Sequence, residues 1–238
     1  MKAELLSRLV QDRRDRRAVV LGTNLDTEEQ ILLYPLEASS EAGGPETSES
    51  DATILEAARI ALLNDRSEQV DGPSGRFFLH VHNTPHRMVL VGAVHISQPL
   101  ARMASIAGFS VTIVDPREVF NTEARFPDMD RLLSWPDAAL ASLALDHRTA
   151  VVVLTHDPKL DDPALATALN SSAFYIGALG SRMNQGLRLE RMREAGFDDA
   201  ALARIRGPVG LKIGARTPGE IAAAILAEVI GELRRDVT

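Results

Sequence analysis

The chain contains no cysteine. That excludes a disulfide framework, a thiolate metal site and a cysteine nucleophile, and it agrees with a reducing compartment, so the cytoplasm is the expected location. Long apolar runs are missing as well, and none approaches the length of a membrane span. The opening stretch MKAELLSRLVQDRRDRR breaks its apolar positions with charge every few residues, unlike the continuous apolar segment of a signal peptide. Basic charge is in deficit: 26 Lys and Arg stand against 33 Asp and Glu, for a formal net charge of −7. Nucleic acids and anionic membranes are captured by basic surfaces that displace counterions, so neither is an expected partner.

What remains is an ordinary globular composition, 45% hydrophobic and 25% charged over 238 residues, enough for one good core or one core with a small annex. The stretch that organises the rest is MVLVGAVHISQPLARMASIAGFSVTIVDPRE, from Met88 to Glu118. An apolar run from Met88 to Val91 meets Gly92, a helical pattern follows through Ile96, Leu100 and Met103, Gly108 stops it, and a second run from Val111 to Val114 ends at Asp115. This is a βαβ unit, whose right-handed crossover puts the Gly92 turn, the helix start and Asp115 at the carboxyl edge of a parallel sheet, where such folds bind ligands. A dinucleotide fingerprint would be G-x-G-x-x-G, but here it reads Gly92-Ala93-Val94-His95-Ile96-Ser97. With a branched Val94 where the pyrophosphate would approach, the turn is expected to obstruct that cofactor pose. Asp115 has the spacing of a ribose-binding acid and is equally acceptable as a strand end before Pro116.

Before this unit, an opening helix with Leu5, Leu6, Leu9 and Val10 on one face runs into the charged cluster Asp12 to Arg17, read as a solvated helix end rather than a partner patch. Strands are expected over Ala18 to Leu21 and Gln30 to Leu33. The segment 37–51, EASSEAGGPETSESD, lacks any large apolar residue and is expected to be a flexible acidic loop. Asp51 then caps a helix with Ile54, Leu55, Ala58 and Leu62 on its core face. Arg76 to His82 alternates as a strand with Phe77, Leu79 and Val81 on one side and Phe78, His80 and His82 on the other. The two imidazoles, with His86 nearby, have a spacing that can bind zinc, but without a further ligand close in sequence they read as ordinary strand histidines. These elements form a small N-terminal α+β domain over residues 1–83, followed by a Rossmann-like domain over 84–238: the fold class is α/β, a parallel sheet with helices on both faces.

Past Asp115, Arg131 to Leu133 is a short third strand, a helix starts at Pro136, and Trp135 is expected to pack beneath the preceding loop. Thr149 to Thr155 is the clearest buried strand, and it delivers His156, Asp157 and Lys159 to the same sheet edge before a helix from Pro163 to Asn170. The next strand, Ala173 to Ile176, leads into Gly177-Ala178-Leu179-Gly180-Ser181-Arg182 and then a helix. Free amides, a hydroxyl and a guanidinium at a helix start suit an anion, with a plain capped turn as the other reading. The tail carries a glycine-rich approach to Arg216, then a capping box of Thr217 and Glu220 around Pro218 that begins a long amphipathic helix.

With VGAVHI and GFSVTIVDPR, VVVLTHDPKLDD, FYIGALGSR before RLERMREAGF, and IRGPVGLKIGARTPGEIAAAILAEV in this order, the chain from about Met88 to Val229 resembles the Rossmann domain of the XdhC/CoxI family. The resemblance implies a protein that binds molybdenum cofactor (molybdopterin) as cargo, protects it while its sulfido ligand is installed, and passes it to a molybdenum hydroxylase of the xanthine dehydrogenase type. It also implies a homodimer and a sulfurtransferase as a further partner. Many members have G-x-G-H where this chain has Gly92 to His95, and an N-terminal G-G-C-V-E segment that this chain lacks. Lys212 replaces an acidic residue common at that place. On this reading Gly180, Ser181 and Arg182 hold the pterin phosphate, with Gly92, His95, Asp115, Arg117, His156, Asp157, Lys159, Gly177 and Arg216 around the crevice. No catalytic group and no metal ligand is assigned. The alternatives are an NAD(P)-dependent oxidoreductase using Asp115 on the ribose and His156 as acid/base, and a non-catalytic regulatory module that has lost its ligand.

Overall fold

In a computed structural model of the chain, residues 3–36 and 49–235 are described. They fall into two compact units that divide between Thr84 and Pro85. The first comprises α1 (Ala3–Arg14), β1 (Val19–Asn24), β2 (Gln30–Leu33), α2 (Glu49–Leu63), β3 (Glu68–Gly72) and β4 (Gly75–His82). Its strands form an antiparallel sheet in the order β2-β1-β4-β3, and the buried side of β4, Phe77 and Leu79, packs with Val20 on Ile54, Ala58 and Leu62 of α2.

Two expectations change in this unit, the Asp51 cap and the solvated helix end, and one strand joins it that the sequence did not announce. The proposed acidic loop lies outside the described residues over 37–48, and its last residues belong to α2, so Asp51 is inside the helix rather than its cap. The polar strand β3 has no apolar alternation strong enough to announce it; it forms because β4 offers it a ladder from Leu79 to Gly75. The charged cluster is more than a solvated end: Asp12 is buried, accepts from the Tyr34 hydroxyl at 2.9 Å and faces Arg17 at 3.6 Å.

The second unit runs β5 (Arg87–Val91), α3 (Ser97–Ile106), β6 (Ser110–Val114), β7 (Asp130–Leu132), α4 (Pro136–Ser142), β8 (Thr149–Val153), α5 (Pro158–Leu169), β9 (Tyr175–Ala178), α6 (Arg182–Glu194), α7 (Asp199–Leu202), β10 (Ile205–Arg206) and α8 (Pro218–Leu233). Its six strands lie in the order β10-β9-β8-β5-β6-β7, all parallel. The chain lays β6 and β7 outward on one side of β5, then returns to its other side with β8, β9 and β10. That reversal is the topological switch point of a Rossmann sheet, and it opens a crevice above the carboxyl ends of β5 and β8.

The four central strands, β5, β6, β8 and β9, are buried on both faces, so their apolar runs are continuous rather than alternating. Met88, Leu90, Ile113 and Val152 face a layer with Leu100 and Ala104 of α3 and Ala222, Ile225 and Val229 of α8. Val89, Val91, Val151 and Val153 face Leu165 and Ala168 of α5, Leu140 of α4 and Met192 of α6. Gly108, at φ +89°, ends α3 in the left-handed conformation that only glycine adopts without cost. Helix α5 starts five residues before the expected Pro163. Asp157 accepts from the Lys159 amide at 3.0 Å and Pro158 occupies the first turn, a stronger start signal than the later proline. Trp135 is 55% exposed at the start of α4 and does not pack beneath a loop.

Candidate functional site

A cleft of about 790 Å³ lies over the switch point, within the roughly 300–1,000 Å³ usual for small-molecule sites. Val94, His95 and Ile96 line it from the β5–α3 turn, Arg117 from the end of β6, Leu154 to Pro158 from the end of β8, Leu179 from the end of β9, and Pro218 from the start of α8. Its walls are largely apolar, with Arg117, His95, His156 and Asp157 as the ionisable groups.

The floor is set by Gly92. Its φ is +107°, and a Cβ there would lie 2.5 Å from Thr155 Cγ2 and 3.3 Å from the Thr155 amide nitrogen. Glycine is required both by the backbone and by the approach of β8. The turn then closes on itself, because the Ser97 hydroxyl donates to the Gly92 carbonyl at 2.5 Å. Helix α3 has no side-chain cap, and the amides of Val94, His95 and Ile96 meet no acceptor among the described residues. Val94 borders the cleft rather than plugging it, and three amides without an acceptor stand at a helix start, where an anion is favoured.

Asp115 is fully buried beneath this turn. One oxygen accepts from the Ala93 amide at 2.7 Å and from Arg117 Nη2 at 2.7 Å; the other accepts from the Arg117 amide at 2.9 Å and Arg117 Nε at 2.8 Å. Burial pushes the Asp115 carboxyl up, but the Arg117 side chain, the two amides and the Arg117 charge together hold it below its ordinary value. This corrects the ribose reading of Asp115, since both oxygens are already committed to protein donors. What the carboxylate does is lock the turn and aim a guanidinium. Arg117 lies over the Phe120 ring at 4.8 Å, and its Nη1 meets no acceptor among the described residues. The Arg117 guanidinium is pushed up, by the Asp115 hydrogen bonds first and also by the charge of Asp157.

Of the residues picked out from sequence, His95, Arg117, His156 and Asp157 meet in the cleft, and Gly92 and Asp115 build its floor. His95, His156 and Asp157 are exposed. Lys159, Gly180, Ser181, Arg182 and Arg216 are outside the lining. Gly180 has φ +151°, Ser181 caps α6 by accepting from the Asn184 amide at 3.1 Å, and Arg182 is exposed. The amides of Ser181, Arg182 and Met183 meet no acceptor among the described residues, but only Leu179 of this later turn reaches the cleft. Gly177 is not a turn residue at all. It lies inside β9, where a Cβ would come within 2.6 Å of Val209 Cγ2 and 2.7 Å of Tyr175 Cε1. The Arg216 amide, not its guanidinium, is the engaged group, donating to Glu220 at 2.7 Å.

A buried polar chain under the cleft wall was not legible in the sequence. Thr155 donates to Asp161, whose second oxygen faces Arg188 Nη2 at 3.4 Å. Arg188 also donates to the Leu179 carbonyl at 2.8 Å and to Gln185 at 2.7 Å. Burial pushes the Asp161 carboxyl above its ordinary value, against the pull of Thr155 and Arg188. The only hint was a charged residue, Arg188, on the face of α6 that also carries Met192. In the first unit the His80 and His82 ring centroids lie 4.2 Å apart with the rings tilted by 45°, and among the described residues no group of three or more metal-binding side chains assembles. Nor is any described helix long and apolar enough to cross a membrane.

The XdhC Rossmann domain model matches residues 88–229. Over 154 residues the chain is 37% identical to the uncharacterized protein YqeB of Escherichia coli K12, covering 64% of this chain and 28% of that one. It is 33% identical over 166 residues to a probable xanthine dehydrogenase subunit of Bacillus subtilis 168, covering 69% and 48%. It is also 33% identical over 143 residues to the molybdenum cofactor insertion chaperone PaoD of E. coli K12, covering 60% and 39%. The matches thus span less than half the length of each of these relatives. The crystal structure of a xanthine dehydrogenase (BH1974) from Bacillus halodurans has a TM-score of 0.71 at 23% identity, over 98% of this chain and 64% of that one, a likeness of fold. The sequence match and the switch-point geometry agree, and the chain belongs to the XdhC family through its Rossmann domain.

Proposed function

We propose that the chain binds the molybdenum cofactor in the cleft between β5 and β8 and serves the insertion or maturation of a molybdenum hydroxylase of the xanthine dehydrogenase type. The carrying observation is the set of open amides at Val94, His95 and Ile96 beside the uncommitted edge of Arg117. Amides at a helix start and a guanidinium are complementary to the cofactor's phosphate. His95 and His156, exposed on the cleft wall, offer ring nitrogens to the polar edge of the pterin. The relatives named for xanthine dehydrogenase and for molybdenum cofactor insertion support the class of cargo and client. This reading gives the phosphate to the earlier turn rather than to Gly180, Ser181 and Arg182, because the cleft lies over the former. A sulfurtransferase that supplies the sulfido ligand, and a second copy of the chain, are the further partners on this reading.

The dinucleotide alternative loses its main support, since Asp115 has no oxygen left for a ribose hydroxyl. The regulatory alternative requires an apo protein that binds the client equally well. Equilibrium dialysis under anaerobic conditions, against cofactor released from a molybdenum hydroxylase and separately against NAD and NADP, decides among them. Retention of the pterin with activation of apo-hydroxylase is the expected result; retention of nicotinamide dinucleotide alone, or client binding without any ligand, would replace the proposal.

A further inference from the structure

The buried pair Asp161–Arg188 joins elements that are distant in sequence. Asp161 is 2% and Arg188 3% exposed. Through Thr155 the pair touches the strand end that packs on Gly92, and through the Leu179 carbonyl it holds the opposite wall of the cleft. Through Gln185 it reaches Gly207, where a Cβ would collide with the Gln185 side-chain amide. The carboxyl ends of β8 and β9 are therefore linked by one run of polar contacts beneath the site, and Gly92 and the segment after β10 pack closely against its ends.

As a stabilising device the pair is poor. Its separation is 3.4 Å, and Arg188 Nε is buried without a partner among the described residues. A buried charge pair with imperfect hydrogen bonding barely repays its desolvation, and apolar replacements of similar volume are often neutral or stabilising. Arginine is nonetheless the one side chain whose planar fork can meet a carbonyl, an amide oxygen and a carboxylate at once.

We propose that Arg188, held by Asp161, is a positioning residue that fixes the Thr155–Pro158 and Leu179 walls of the cleft, and that it contributes little to global stability. Its role in cargo binding rests on the function proposed above; its role in fixing the walls does not. Asp161→Leu/Arg188→Met replaces the pair with apolar side chains, and hydrogen exchange reads the result without ligand. The amide of Leu179 donates to Val153 at 2.8 Å, that of Lys159 to Asp157 at 3.0 Å, and that of Leu160 to the Asp157 carbonyl at 3.0 Å. In the double variant these three are expected to exchange at least about tenfold faster while amides in β6 hold their rates and the denaturation midpoint stays near that of the parent. Unchanged exchange at the three amides, or a uniform acceleration with a lower midpoint, would overturn the proposal. Should the double variant not fold, Arg188→Lys keeps the charge and loses the fork. The same three amides are then expected to accelerate, and their failure to do so is equally fatal. Dialysis against released cofactor adds a separate arm, in which weaker retention by a folded variant is expected and undiminished retention overturns the role in cargo binding. A parent chain that binds no cofactor refutes the proposed function, while the exchange rates still decide the role of Arg188 in the walls.

Discussion

Gly92→Ala probes the floor of the cleft by adding a single carbon. The backbone at φ +107° disfavours any side chain, at a cost of about 1–2 kcal/mol. The new Cβ would also sit 2.5 Å from Thr155 Cγ2 and 3.3 Å from backbone nitrogen. The methyl cannot rotate away without disturbing the Thr155 hydroxyl that meets Asp161, and the nitrogen cannot move without shifting β8, so overpacking adds about 1–3 kcal/mol. A total of roughly 2–5 kcal/mol is a large part of the ~5–15 kcal/mol that holds an ordinary domain together. With a urea slope of about 1–3 kcal/mol/M, the midpoint should fall by on the order of 1–2 M. Urea titration followed by far-ultraviolet circular dichroism measures this directly. Gly186→Ala is the matched control: it lies within α6 with nothing inside 4 Å, and should be neutral or stabilising by up to about 1 kcal/mol. If Gly92→Ala unfolds at the same urea concentration as Gly186→Ala, the close approach of β8 to the turn is wrong.

Two further outcomes concern charge and caps. Because Asp115 is held below its ordinary carboxylate range when folded, its contribution is complete above the unfolded value near 3.9 and is lost as pH falls through the folded value. Asp115→Asn should therefore lower stability at neutral pH and flatten the acid limb of a stability–pH profile; an acid limb identical to that of the parent would refute the clamp. Thr217 accepts from the Glu220 amide at 3.3 Å, and Glu220 accepts from the Thr217 amide at 3.0 Å. Thr217→Ala should cost about 1 kcal/mol in thermal or chemical denaturation, and no loss would mean that α8 is held by packing alone.

The parallel sheet was readable because its central strands are buried on both faces, and the first two end at Gly92 and Asp115. Apolar runs such as Met88 to Val91 and Thr149 to Val153 admit few other readings, and the capping box at Thr217 fixed the start of α8 to the residue. Short polar strands were not readable: β3 and β10 exist because a neighbour supplies their ladder, and Glu68 to Gly72 carries no pattern of its own. The site was half legible. His95, Arg117, His156 and Asp157 could be placed because strand ends in this topology share one edge. The choice between the two glycine turns could not be made that way, because it depends on where helices leave open space. Val94 looked obstructive as a residue type, yet its side chain borders the cleft. Gly177 looked like part of a phosphate cradle, yet it is a strand residue that gives room to Tyr175 and Val209. Asp115 had the right spacing for a ribose, but the side chain two residues later takes its oxygens. Such choices are made by tertiary contacts, which residue spacing does not encode.

The central claim is that cargo is held over the earlier turn, and comparing two variants in one binding assay tests it. His95→Ala/His156→Ala removes two exposed imidazoles from the cleft wall without breaking any hydrogen bond among the described residues, whereas Arg182→Ala alters the later turn outside it. Measured by anaerobic equilibrium dialysis with released molybdenum cofactor, the histidine pair should weaken binding by about tenfold or more, near 1.4 kcal/mol, while Arg182→Ala leaves it close to that of the parent. Binding lost in Arg182→Ala and intact in the histidine variant would contradict the account.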